Sequence, residues 1–423
     1  MTDPIARPIR SLMDSLATAP IGDEAQRRQL AVLAVGLVLA MSTWFSTAAV
    51  LTELKAAWAL DRNAGAWLTI AVQIGFVLGA VTSAVTNLAD RLPPTRLVFL
   101  GALGAAAANA LVATAGGFAA ALVLRLVTGA FLALVYPPAL KAMSSWYRSG
   151  RGFALGVMIG ALTLGSALPH LINALGGFDW QFTLLAASLL TAIGGLIVER
   201  LGREGPFATG RAVFDPKQIG RIVRDRGFRL ASLGYFGHMW ELYAMWAWIA
   251  AFYADAFSSG SMASLTAFFV IGSGAAGSVY AGLISDKRSR SEAAALAMRW
   301  SASVALIMGF LLDAPTPIVV GVGLVWGFWV VADSAQFSTI VTEVTDARYV
   351  GTALTLQLAV GFVLTVFTIF LVPLIRDAHG WGWAFLLLAP GPILGAWAMR
   401  SLRIGPRRTE TANAEPVYVS PFF

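Results

Sequence analysis

The sequence predicts an all-α membrane protein with twelve transmembrane helices arranged as two six-helix, pseudo-symmetric bundles. Three observations carry this prediction. Of the 423 residues, 57% are hydrophobic and only 13% charged, whereas a soluble domain holds about 25% charged residues to stay solvated. Apolar stretches of the length that spans a hydrocarbon core, roughly 20 residues of helix, recur twelve times along the chain. The short loop after the second stretch, Asn87-Leu88-Ala89-Asp90-Arg91, returns after the eighth as Gly282-Leu283-Ile284-Ser285-Asp286-Lys287-Arg288.

In chain order, residues 1–29 form a cytoplasmic N-terminal segment. Its Ile5, Ile9, Leu12, Met13 and Leu16 recur at helical spacing, as in a helix lying on a membrane surface. It lacks the apolar core and small-residue site of a removable signal. The first bundle, 30–199, contains spans at 30–52, 64–88, 97–117, 118–140, 152–174 and 180–199. Gly156, Gly160 and Gly165 in the fifth span allow close helix approach.

Residues 200–228 are the longest polar interruption and form a cytoplasmic linker. Within it Phe214, Ile219, Ile222, Val223 and Phe228 alternate with Lys217, Arg221, Arg224 and Arg226, the pattern of an amphipathic helix facing lipid headgroups. The second bundle, 229–402, contains spans at 229–252, 262–284, 292–312, 316–340, 350–375 and 381–401, and a cytoplasmic tail occupies 403–423.

The halves also match where the sixth and twelfth spans open: Gly177-Phe178-Asp179-Trp180-Gln181-Phe182 resembles Gly380-Trp381-Gly382-Trp383-Ala384-Phe385. Trp44 in span 1 pairs in the same way with Trp240 in span 7. All of these correspondences share an offset near 200 residues, as one duplication requires. Two like halves about an axis along the membrane normal leave between them a site that can open to either side.

Charge sets the orientation. Of the 30 Lys and Arg residues, Lys55, Arg62 and Arg376 fall in external segments, Arg125 and Arg299 lie within spans, and the rest are cytoplasmic if both termini are. This is the positive-inside bias. The net charge of +7 is spread over loops and tails rather than gathered in a groove, which argues against nucleic acid. Without cysteine and with three histidines, the chain offers no disulfide framework and no repeated metal-ligand spacing. Gly272-Ser273-Gly274-Ala275-Ala276-Gly277 imitates a dinucleotide-binding fingerprint but lies inside an apolar helix, so it reads as helix packing.

The loop Gly282, Asp286, Lys287, Arg288 and Arg290 follows the pattern Gly-x-x-x-Asp-Arg-x-Gly-Arg-Arg. The first-half copy keeps Asp90 and Arg91 but has Thr86 for the Gly and Pro93-Pro94 for Gly-Arg. Span 4 carries Arg125-Leu126-Val127-Thr128-Gly129, an Arg-x-x-x-Gly motif, and is followed by Trp146-Tyr147-Arg148-Ser149-Gly150-Arg151-Gly152. On these motifs the chain resembles the major facilitator superfamily over nearly its whole length. The resemblance implies transport by alternating access, gating loops at Asp90, Arg91, Asp286, Lys287 and Arg288, and a proton-transfer role for Arg125. The Gly-Pro pair of the superfamily's antiporter motif is missing from span 5, where Pro169 precedes an interfacial His170.

An ionisable side chain at mid-membrane costs roughly 2.5–3.5 kcal/mol on insertion scales, so each one is a functional candidate. His238 and Glu241 share a face of span 7. Burial disfavours a carboxylate's charge, which suits Glu241 to proton uptake and release with His238 as relay or partner. Asp333 shares a face of span 10 with Trp326, Trp329 and Gln336. Arg125 lies too deep in span 4 to snorkel and could hold an anion. The expected cavity draws on Ser42, Thr43, Trp44, Ser46, Arg125, Tyr136, His238, Trp240, Glu241, Trp329, Asp333, Gln336 and Gln357.

These features point to a monomeric, multi-pass protein of the bacterial inner membrane with no cofactor or metal and no enzymatic chemistry. Its partners are a small-molecule substrate, protons as coupling ion, and membrane lipids. Arg125 tilts the substrate toward a small organic anion. Proton-driven efflux of cationic or amphipathic compounds is the alternative, and a transporter-like sensor or assembly factor is the reading from another class.

Overall fold

The computed structural model describes residues 24–147, 149–176, 179–207, 215–287, 289–346 and 348–402, except for the side chains of Arg62, Ala89 and Asp90. The expected surface helix within 1–23 and the 403–423 tail lie outside the described residues. The described regular structure is entirely helical. Ten helices are long and apolar enough to cross a membrane. Span 1, which is interrupted, and span 7, the long helix Arg226–Ala256 diluted by Gly, Tyr, Trp, His and Glu, complete the twelve.

Span 1 consists of Glu24–Ala40, Ser46–Ala49 and Leu51–Trp58. Its break follows from local chemistry, because short hydroxyl side chains compete for helical carbonyls. Ser42 Oγ donates to Leu39 O at 2.8 Å and Ser46 Oγ to Thr43 O at 3.1 Å. Span 2, Arg62–Val85, starts on Asp61, whose carboxylate accepts from the backbone N–H groups of Asn63 and Ala64 at 2.9 and 2.7 Å. Span 3, Pro94–Val112, opens on the Pro93-Pro94 pair that departs from the family loop; proline suits a helix's first turn, where no N–H is needed.

Span 4 is Phe118–Leu132 and Tyr136–Ser144, with Pro137 and Pro138 in the first turn of the second piece. Spans 5 and 6 are Arg151–Ala174 and Trp180–Leu201. Asp225 caps span 7 by accepting from Phe228 N–H at 2.8 Å. Spans 8 and 9 are Gly260–Lys287 and Arg290–Met308; span 10 is Thr316–Ala332 and Ser334–Val344, broken at Asp333. Span 11 is Val350–His379, and span 12 is Trp381–Leu386 and Pro390–Ser401. Spans 4 and 10, equivalent under the duplication, are thus both interrupted, where the sequence predicts continuous helices.

The packing repeats between halves. Spans 2 and 4, 3 and 6, 1 and 6, and 1 and 5 pack in the first bundle, as 8 and 10, 9 and 12, 7 and 12, and 7 and 11 do in the second. The halves meet where span 5 packs on span 8 and span 2 on span 11, again a symmetric pair. Glycine permits the closest approaches. A Cβ on Gly156 would lie 2.5 Å from Ser278 O, and one on Gly282 would lie 2.3 Å from Gly152 O, both across the span 5–8 seam. The dinucleotide look-alike does the same work inside the second bundle, since a Cβ on Gly277 would meet Phe328 O at 1.9 Å.

The linker's start binds the first half, with Trp146 Nε1 donating to Arg203 O at 2.8 Å and Arg203 N–H donating to Gln29 Oε1 at 2.8 Å. Its end contains the short helix Ile219–Arg224. Ile222 is buried there with Phe228, Ile340 and Val350, so this segment packs on the second half while Val223 stays exposed. Phe214 lies outside the described residues. The face of the molecule bearing this segment is called the linker side below, and the opposite one the far side.

Candidate functional site

A cleft with about 790 Å³ of space, part of it open to solvent, lies between the halves. Its wall is built from Tyr136 of span 4, Thr163 of span 5, Tyr235 and His238 of span 7, Ser334 and Ser338 of span 10, and Gln357 of span 11. Toward the far side it ends on an aromatic cluster shared by both halves. Phe76 stacks on Phe362 with centroids 4.5 Å apart, Trp44 lies 4.9 Å from Phe76 and 5.8 Å from Tyr243, and Phe45 meets Trp246 edge-on at 5.7 Å. The rings come from spans 1, 2, 7 and 11, so both bundles contribute to the cluster that bounds the cleft.

On the cleft wall His238 makes a buried contact with a carboxylate, Asp333, that lies behind the lining. His238 Nδ1 lies 2.8 Å from Asp333 Oδ1, and His238 Nε2 is 3.0 Å from Ser334 Oγ. Asp333 sits at the break in span 10, which delivers its carboxylate and the following serine to the same imidazole. Both members are almost completely buried. Phe337 packs beside the imidazole at 5.4 Å.

Glu241, on the same helix face as His238, turns instead into the second bundle. Its Oε2 accepts from Ser301 Oγ at 2.6 Å and its Oε1 from Trp326 Nε1 at 2.7 Å. Two hydrogen bonds from uncharged donors and 1% exposure place it behind the cleft wall. The imidazole therefore partners Asp333, and the carboxylate expected beside it is held by spans 9 and 10.

Arg125 also lies off the cleft, fully buried in the first bundle. Its Nη1 donates to Thr43 O at 2.8 Å, Asn109 Oδ1 at 2.7 Å and Ser46 Oγ at 3.2 Å; Nη2 donates to Trp44 O and Nε to Leu68 O at 3.4 Å. Asn109 is held in turn by donating to Leu184 O and Ser188 Oγ. A break in a helix frees carbonyls that need donors, and here the guanidinium supplies them at the break in span 1. Among the described residues no carboxylate pairs with Arg125.

The remaining expected cavity residues divide clearly. Tyr136 and Gln357 line the cleft, and Gln357 Nε2 has no partner among the described residues. Trp44 belongs to the aromatic cluster, while Ser42, Thr43 and Ser46 are committed to the break and to Arg125. Trp240 points at span 12, donating to Leu387 O at 2.9 Å. Trp329 stacks on Trp300 at 6.0 Å, away from the cleft. Gln336 is buried with neither amide atom partnered among the described residues, and it is not on the cleft wall.

His170, expected at the interface, is fully buried instead, and neither ring nitrogen has a partner among the described residues. It continues the stripe of Thr163 and Ser166 along span 5. Thr163, Ser334 and Ser338 were not singled out in the sequence, because lone hydroxyl residues in an apolar helix carry no pattern of their own.

Asp286 bridges the halves at the linker side. Its Oδ1 accepts from Gly152 N–H and its Oδ2 from Phe153 N–H, each at 3.0 Å, capping the N-terminus of span 5 from the end of span 8. Arg91 is exposed, and Lys287 follows Asp286 in the last turn of span 8. The side chain of Asp90 and residue Arg288 lie outside the described residues. In the loop after span 10, Arg348 holds the Asp346 carboxyl down at about 2 through side-chain and backbone hydrogen bonds.

Residues 33–257, slightly more than half of the chain, match the family model of the Major Facilitator Superfamily. The chain belongs to the Major Facilitator Superfamily. Among solved structures this superfamily member is similar to a D-xylose–proton symporter, with a TM-score of 0.68 at 14% identity over 88% of this chain and 96% of that one. A second similar structure, the proton:xylose symporter XylE bound to 6-bromo-6-deoxy-D-glucose, gives a TM-score of 0.66 at 13% identity, covering 89% and 95%. At such identities the likeness concerns the fold. A curated relative, the MFS-type transporter pytF of Aspergillus terreus, is 23% identical over 172 residues, 39% of this chain and 56% of the relative, so the match spans about half of that protein's length.

Proposed function

We propose that this protein is a secondary active, proton-coupled transporter that moves a small solute by alternating access, with His238 and Asp333 as the coupling centre. The observation that carries this reading is that His238, on the wall of a cleft between two pseudo-symmetric halves, is in buried contact with Asp333 behind it. An imidazole in contact with a carboxylate offers a site that a proton can occupy or leave. A change of charge there alters the cost of closing the cleft, which links proton occupancy to conformation. The sugar–proton symporter neighbours support the same coupling.

The substrate reading shifts from an organic anion to an uncharged polar solute with an apolar side. The anion depended on Arg125, whose donors are taken up at the span 1 break. The cleft presents phenols, hydroxyls, an amide and aromatic faces, and among its lining residues there is no Lys or Arg. Efflux of an amphipathic compound is the second reading, favoured by Tyr235, Tyr243 and Trp246 on the wall. The positive-inside bias supports a linker side and termini in the cytoplasm, with the protein in the bacterial inner membrane.

The test uses purified protein in vesicles under an imposed pH gradient, with a panel of sugars, organic anions and organic cations as solutes. Asp333→Asn and His238→Gln should each abolish uphill accumulation while solute exchange persists at a quarter or more of the wild-type rate. Glu241→Gln, which keeps an acceptor for Trp326, should accumulate solute at near wild-type levels. Loss of coupling in Glu241→Gln alone would transfer the proton to Glu241. Accumulation confined to anions would overturn the substrate reading.

A further inference from the structure

Outside the cleft, a second cavity combines charge with an apolar trough. It is a groove of roughly 1030 Å³, open along one side, on the outer surface between spans 9 and 12. Arg299 and Arg400 line it together with Ser303, Ser401, Leu306 and Trp397. Both arginines are exposed on the outer face, and among the described residues neither forms an ion pair. The two serines direct their protons inward, Ser303 Oγ to Arg299 O at 2.8 Å and Ser401 Oγ to Trp397 O at 2.9 Å, so the cationic groups are the groove's main donors.

Depth along the spans identifies the environment. Span 12 ends at Ser401 on the linker side, so Arg400 lies at the level of headgroups. Arg299 is nine residues along span 9 from Arg290, about 14 Å by helical rise, within reach of the same surface by snorkelling. Farther from that surface the groove turns apolar: Leu306, Ile393 and Trp397 are 41%, 49% and 59% exposed. A cationic mouth over an apolar trough, at the membrane boundary and between two helices, is complementary to an anionic lipid.

We propose that the groove between spans 9 and 12 binds an anionic glycerophospholipid from the linker-side leaflet, with Arg299 and Arg400 on its phosphate and an acyl chain along Leu306, Ile393 and Trp397. The lipid covers the outer face of span 9, whose inner face carries Ser301, the hydrogen-bond donor to Glu241. This site is independent of the cleft and does not rest on the assignment of the coupling pair.

Full-length protein is incubated in detergent with phosphatidylglycerol or phosphatidylcholine, and retained lipid is read by native mass spectrometry. Phosphatidylglycerol should be retained at least tenfold more than phosphatidylcholine, and Arg299→Gln/Arg400→Gln should remove that preference. Ser303→Trp fills the trough while leaving both charges, and should lower retention at least fivefold; it also serves if the double variant does not fold. Equal retention of the two lipids, or unchanged retention in the folded variants, overturns the proposal. Complete displacement by soluble glycerol phosphate would assign the arginines to a free phosphate. An adduct seen only after removal of 403–423 would assign the groove to the chain's own tail.

Discussion

Arg125 is a cation solvated by its own protein. Its donors are matched to carbonyls at a helix break and to Asn109, so the residue holds span 1 in its interrupted form and need not touch the solute. Leaving a buried acceptor unpaired costs about 1–3 kcal/mol. Arg125→Ala is therefore expected to lower the melting temperature by about 5 °C or more, and Arg125→Lys, with a single ammonium group, by less. Thermal unfolding in detergent with and without solute checks this. An Arg125→Ala protein of unchanged stability that no longer binds solute would return Arg125 to the binding site. The sequence made the depth of Arg125 legible, since an arginine within an apolar span stands out. Its partners were not, because backbone carbonyls freed by a broken helix leave no mark in residue types. The same limit explains Glu241: helical spacing put it one turn from His238, but 3.6 residues per turn leaves about 60° between positions three apart, enough to send one side chain to the cleft and the other to Ser301 and Trp326.

At the scale of elements, the spans were legible wherever length and apolarity suffice, and their interruptions were not. Asp333 and the Tyr136-Pro137-Pro138 turn mark breaks in spans 10 and 4 that a hydropathy reading runs through. These breaks are where the site is made, since Asp333, Ser334 and Tyr136 all come from them. The Asp286 loop was legible as a motif, and its geometry makes it a cap on another half's helix. Removing a capping carboxylate costs about 0.5–2 kcal/mol, which corresponds to a several-fold shift between closed and open seams. The chain contains no cysteine, so a single Ser338→Cys reports access to the cleft. Asp286→Ala should raise its labelling rate by an impermeant maleimide from the linker side about threefold to tenfold. An unchanged rate would remove Asp286 from the gate.

Across the whole molecule the two seams are not equivalent in polarity. The cleft lies on the linker side of the aromatic cluster, while the far half of the axis contains Ser166 and His170, buried with no hydrogen-bond partner among the described residues. Buried polar groups without partners are costly, and a state that admits water to them relieves that cost. The far half thus has the chemistry of a closed pathway, and the Asp286 contact at the linker-side seam must then hold while that pathway opens. Phe153 N–H lies within hydrogen-bonding distance of Asp286 across the span 5–8 seam, so a Phe153→Cys/Asp286→Cys pair can join the two halves there. The oxidised pair should lose transport by at least tenfold and recover on reduction, and a Ser166→Cys probe in the oxidised protein should label from the far side faster than in the reduced one. The duplication already visible in the sequence requires this exchange, because spans 5 and 8 at one seam are related by symmetry to spans 11 and 2 at the other. Full transport by the oxidised protein would mean that the halves do not rock about the seam, and solute would then have to pass without separation of spans 5 and 8.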